Sequence, residues 1–150
     1  LVISFFLTFF TIISGAFVAG IDAGLAYNNF PLMGDGFLPP DAFILEPFWV
    51  NFFENTSLVQ FDHRVLATIT ALVILGICIC NYKKIKDQLI KKLFLTLSSI
   101  IIIQYLLGIF VLKLLVPVAL GVIHQLGSLI VLTLITLIIS EIYTKEKGAI

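Results

Sequence analysis

Charge is what this sequence has least of. Only 12% of its 150 residues are Asp, Glu, Lys or Arg, with nine acids balancing nine bases, and they cluster, so that four long stretches carry none. A formal net charge of zero gives no global field to draw nucleic acid or an acidic substrate. Cysteine is nearly absent. Cys78 and Cys80 lie two apart on an expected helix, so their side chains diverge by about 200° and can neither bridge nor share a metal. The opening run, which starts at Leu1, lacks the basic flank and small-residue cleavage site of a signal peptide. The expectation is a piece, or one half, of a longer membrane protein. What fills the sequence instead is apolar: 60% hydrophobic residues and a mean hydropathy of +1.15. Membrane is the class that fits.

The apolar runs predict four spans, at Leu1 to Ala19, Leu58 to Tyr82, Leu93 to Leu112 and Val118 to Ser140, each long enough to cross roughly 30 Å of hydrocarbon. Short connections after the second and third spans make consecutive helices antiparallel neighbours. The expected fold is therefore an all-α membrane protein, an antiparallel four-transmembrane-helix bundle forming one domain over residues 1–150, with a long outer loop between helices 1 and 2. In that loop, residues 20–57, Asp22, Asp35, Asp41, Glu46 and Glu54 appear with no Lys or Arg, and four prolines forbid a continuous helix. Within it, Phe48 to Phe53 reads as a short helix at the membrane surface, where Trp49 favours the interface. Lys83, Lys84, Lys86, Lys91 and Lys92 follow the second span, and Lys145 and Lys147 follow the fourth. The positive-inside rule then places both termini in the cytoplasm and the loop outside. Gly15 with Ala19, and Ala16 with Gly20, are small pairs one turn apart, suited to close helix packing or to clearance for a flat cofactor.

The two histidines carry the chemistry. An imidazole in lipid lacks hydrogen-bonding partners and needs a reason to be there. His63, at the head of the second span, lies about 7 Å below the boundary, and His124, at the head of the fourth, roughly 9 Å. Two imidazoles at one depth read as axial ligands of one haem, clamped inside the bundle. The residues one turn from His124 are Leu120, Gly121, Gly127 and Ser128, and those that follow His63 on its own face are Leu66, Ala67, Thr70 and Ala71. Such small residues leave a slot for a porphyrin edge. A structural zinc needs two further ligands at that level, and the sequence supplies them poorly. Arg64 either pairs with haem propionates or snorkels to lipid phosphate. Gln104, the one strongly polar side chain midway along the third span, reads first as an interhelical hydrogen-bonding group and second as a donor behind a ligand.

Several motifs point further. They are Gly15-Ala16-Phe17-Val18-Ala19-Gly20-Ile21-Asp22-Ala23-Gly24-Leu25-Ala26-Tyr27-Asn28-Asn29-Phe30-Pro31-Leu32-Met33-Gly34, then Asn51-Phe52-Phe53-Glu54-Asn55, Val59-Gln60-Phe61-Asp62-His63-Arg64, and His124-Gln125 followed by Gly127-Ser128. Together they resemble the C-terminal half of haem A synthase, in its alphaproteobacterial and mitochondrial branch, over essentially the whole chain. The resemblance implies eight transmembrane helices in two similar halves, and oxidation of the C8 methyl of haem O to the formyl of haem A. It implies that this half holds haem B on His63 and His124, with Arg64 and Gln125 beside the cofactor. The substrate haem O would sit in the other half, where a Glu stands three residues before the His. Here that position is Gln60, a neutral amide that cannot accept a proton. That departure suits an electron-transferring half and leaves no catalytic residue in these 150 residues. The cysteine pair of another branch of the family is absent from the loop. The expected partners are membrane lipid, haem O, haem O synthase and a second copy, with no nucleic acid, in a cell or organelle inner membrane. Two rivals stand beside this reading: a standalone b-type cytochrome carrier or anchor subunit, and a haem-free structural or transport bundle.

Overall fold

The computed structural model describes residues 1–148. Among them, four helices are long and apolar enough to cross a membrane: α1 (Val2–Gly20), α3 (Thr56–Tyr82), α4 (Gln88–Lys113) and α5 (Val118–Gly148). A helical turn at Phe48–Val50 leads into the short α2 (Asn51–Glu54), where the sequence predicts a surface helix. The expected helical membrane bundle is the observed fold.

Two of the helices, α3 and α4, begin earlier than hydropathy suggests, because capping side chains set their starts. Asn55 Oδ1 accepts from Ser57 N at 3.0 Å and Leu58 N at 3.1 Å, so α3 opens at Thr56 and not Leu58. Asp87 Oδ1 does the same for Leu89 N and Ile90 N, and α4 opens at Gln88, five residues before Leu93. At the other end α5 runs past Ser140 to Gly148, carrying Glu141 and Lys145 on helical backbone beyond the apolar run.

Each helix has two neighbours. α1 packs against α3 and α5, α4 packs against the same two, and α3 lies diagonally opposite α5. The helices that bear His63 and His124 therefore face each other across the interior. The bundle is packed unevenly along its axis. The half nearer the α3–α4 connection holds the core: Ile74, Cys78, Ile90, Phe94, Leu97, Ile101, Val131, Ile135 and Ile138 are all buried. Cys78 sits in it while Cys80 is exposed, as their spacing requires. In lipid this cohesion is van der Waals contact, since apolar chains gain nothing by leaving hydrocarbon. In the half nearer the long loop, no residue is buried from Phe9 to Gly20, from Phe61 to Ile69, or from Val118 to Ile130.

The long loop is fastened over that end by polar side chains. Asp41 accepts from Tyr27 Oη at 2.8 Å and Ser57 Oγ at 2.6 Å, and its backbone oxygen accepts from Asn55 Nδ2. Asn51 is fully buried, accepting from Leu45 N and donating to Leu45 O and Phe48 O. Asn28 Nδ2 donates to Leu112 O at 2.9 Å, tying the loop to the end of α4. The opposite end carries the lysines, where Lys145 pairs with Asp87 across from α5 to the α3–α4 connection. The acidic loop and the lysine-rich connection thus lie at opposite ends of the bundle.

Two outcomes follow from the loop fastening. Burial pushes the Asp41 carboxyl up, but hydrogen bonds from Ser57 and Tyr27 outweigh it and hold it below the ordinary carboxylate value. The Tyr27 hydroxyl, donating to Asp41, is raised above its ordinary value. A depressed acid contributes its stabilisation above about pH 4 and loses it as pH falls through the folded value. A raised phenol contributes below about pH 10 and loses it on further rise. Emission from Trp49, the chain's one tryptophan, should therefore hold steady between those limits and change beyond both. Separately, Asn55→Ala should cost about 1 kcal/mol in detergent unfolding by removing the α3 cap, whereas the same change at exposed Asn29 should be neutral.

Candidate functional site

His63 lies seven residues after the first residue of α3, and His124 six after the first of α5. At about 1.5 Å per residue both rings sit one to two turns below the loop end, in the unevenly packed half. Each imidazole is met by a glycine from an adjacent helix. A methyl added at Gly15 of α1 would stand 3.1 Å from His63 Cε1. One added at Gly108 of α4 would stand 2.9 Å from His124 Cε1 and 3.4 Å from His124 Nε2. Gly15, His63, Gly108 and His124, one from each spanning helix, form a single layer across the bundle.

The rings differ in their polar partners. His63 Nδ1 is buried and has no hydrogen-bond partner. The ring is densely surrounded by protein atoms yet keeps some accessible surface. His124 Nδ1 lies 3.1 Å from Gln104 Nε2, and the same amide donates to His124 O at 2.7 Å. Gln104 is therefore both of the things its sequence position suggests: it joins α4 to α5 and stands directly behind His124. Gly127, read from sequence as part of a slot, instead makes room for Gln104, whose Oε1 any side chain at that position would strike. Gly121 has open space around it.

Arg64 is engaged with the loop. Its NH1 donates to Asn29 O at 2.8 Å, and its NH2 donates to Tyr27 O at 2.6 Å and to Gln60 Oε1 at 3.1 Å, while Nε is buried without a partner. Gln60 is itself buried and donates to Gly24 O at 3.1 Å. Gln60 is thus part of the clamp on the loop. Gln125 is exposed, one residue round the helix from His124, and is not brought into the layer. Gly108 had no place in the sequence reading, and no pattern around it marks it as the residue that faces His124.

The chain matches the COX15-CtaA family, described as cytochrome oxidase assembly protein, over residues 1–136. The chain belongs to this family. Among similar proteins, the Heme A synthase of Nitrosospira multiformis is 44% identical over 128 residues, covering 85% of this chain and 36% of that protein. Heme A synthase COX15 of Arabidopsis thaliana is 46% identical over 129 residues, covering 85% of this chain and 28% of its own length. The human Heme A synthase COX15 is 42% identical over 127 residues, covering 85% of this chain and 31% of its own length. The chain thus spans about a third of the length of the relatives it matches. No solved structure matches it. Membership fits the four spans: this is a multi-pass membrane protein of a family named for oxidase assembly, whose relatives make a haem.

The glycine layer makes a direct prediction. Gly108→Val should force the His124 ring aside and lower stability by about 1–3 kcal/mol, the range for overpacking. Gly20→Ala, which meets nothing within 4 Å, should leave the unfolding midpoint unchanged in the same detergent assay.

Proposed function

We propose that this chain is the haem B-binding, C-terminal half of a haem A synthase, with His63 and His124 as the two axial ligands. The observation that carries the reading is the layer itself: two imidazoles on diagonal helices, each lying against a glycine of an adjacent helix, in the half of the bundle where α3 from Phe61 to Ile69 and α5 from Val118 to Ile130 bury no residue. The donor set suits iron porphyrin, for which two neutral imidazole nitrogens are an ordinary axial pair. Among the described residues no three His, Cys, Asp or Glu side chains gather at one point, so an ion held by protein ligands alone finds no third donor of those types. The family membership supplies the prior for a haem-type cofactor.

Bound there, haem B would supply one-electron redox chemistry with both axial positions filled, which suits electron transfer better than oxygen activation. The residues of this chain hold and shield. His63 and His124 hold the iron, and Gly15 and Gly108 keep the ring planes free to meet it. Gln60 and Arg64 close the loop over the outer end, and Gln60, neutral and already bonded on both sides, takes no proton. The Arg64 guanidinium brings positive charge to the end where propionates would emerge, and exposed Gln125 stands at the rim. In this reading the whole domain, residues 1–150, passes electrons to or from haem O in the other half, where the C8 methyl becomes the formyl of haem A. Haem O synthase is the proposed supplier and a second copy a proposed neighbour. The lysine-rich end faces the cytoplasm, or its organelle equivalent, with both termini, and the loop of residues 20–57 faces outside.

The test is spectroscopic. The chain expressed with haem available should give a low-spin b-type reduced spectrum, and His63→Ala and His124→Ala should each remove it. Undiminished low-spin haem in both variants would overturn the assignment.

A further inference from the structure

Gln104 is buried on α4 with its amide between two acceptor-capable groups of one residue, His124 O and His124 Nδ1. A backbone carbonyl only accepts, so the 2.7 Å contact fixes the nitrogen of the amide, not its oxygen, on that side. The second amide hydrogen is then the one presented to Nδ1 at 3.1 Å. A neutral imidazole carries one proton; with Nδ1 accepting, it sits on Nε2. Coordination of a metal through Nε2 requires the reverse, a lone pair on Nε2 and the proton on Nδ1. His63 differs, because its Nδ1 has no partner and nothing on the protein selects its tautomer.

We infer that Gln104 is a positioning residue that decides which nitrogen of His124 is free to bind a metal, and that its amide turns over when His124 becomes a ligand. In the metal-free chain it holds the non-coordinating tautomer. On coordination Oε1 replaces Nε2 beside the ring, accepts from Nδ1–H, and makes the imidazole a stronger donor. The turn gives up the bond to His124 O, so His124 is the gated ligand and His63 the ready one. Gly127 belongs to the device, since a side chain there would occupy the place of the amide oxygen. The inference rests on the reading of His124 as an axial ligand, and its test separates the two.

The chain has two histidines, so nitrogen NMR of the histidine-labelled, metal-free protein in bilayers reads two rings. The wild-type His124 should be protonated on Nε2 with Nδ1 accepting, and Gln104→Glu should move the proton to Nδ1, leaving His63 unchanged. In the haem-loaded protein Gln104→Glu should lower the midpoint potential and Gln104→Met, which fills the space without an acceptor, should raise it. A structural role alone moves neither the tautomer nor the potential in opposite directions. An Nδ1-protonated His124 in the metal-free wild type overturns the inference, as do potentials that shift together or not at all. A wild-type protein that takes up no haem overturns the axial-ligand reading, while the metal-free spectra still decide what Gln104 does to the ring.

Discussion

A side chain as wide as an imidazole can lie between two helices only where its neighbour offers no side chain of its own. The structure meets that constraint twice, with Gly15 against His63 and Gly108 against His124. Everything else in the outer half of the bundle follows. α1 must run beside α3 and α4 beside α5, which puts α3 and α5 on the diagonal. The two rings then lie on diagonally opposed helices, at one level set by α3 and α5 both starting at the loop end. Were either glycine replaced by an ordinary residue, the helix pair would spread or the ring would swing away, and the layer would be lost.

The division of the bundle into a close-packed half at the lysine-rich end and a less buried half at the loop end, the outer half of the proposed topology, has a chemical logic. Interdigitated Ile, Leu and Phe side chains at the lysine-rich end give a rigid base that needs no ligand to be stable. The outer half gives up that packing and is held instead from above. Gln60, Arg64, Asn28, Asn51, Asn55 and Asp41 spend their hydrogen bonds on loop backbone and helix ends, so the polar groups that a membrane protein can least leave unpaired are satisfied outside the site. Among the described residues the exceptions are Ser4 Oγ, Arg64 Nε and, inside the site, His63 Nδ1. His63 Nδ1 is left without a partner in a fold that finds one for nearly every buried side-chain polar atom.

Much of this was legible in the residues. Four long apolar runs predict four spans, and opposite charge at the two ends predicts which connections share a side, because hydrocarbon tolerates little else. The depth of the two histidines follows from counting along helices. The motifs at Gly15–Gly34 and Gln60–Arg64 carried the family, which the comparisons bear out. The starts of α3 and α4 lie two and five residues before the expected ones, since hydropathy marks where hydrocarbon begins while Asn55 and Asp87 mark where hydrogen bonding does. Gly108 and the true task of Gly127 were not legible, because a glycine in a helix looks the same whatever presses on it. Nor was the engagement of Arg64 with Tyr27 O and Asn29 O, which depends on where a proline-rich loop aims its carbonyls.

The central claim is that one layer of this bundle brings two imidazoles to a single metal. Electron paramagnetic resonance of the oxidised, haem-loaded chain tests it most directly. The account predicts a low-spin ferric signal of two imidazole ligands; a high-spin five-coordinate signal, or a protein that stays colourless with haem in excess, contradicts it.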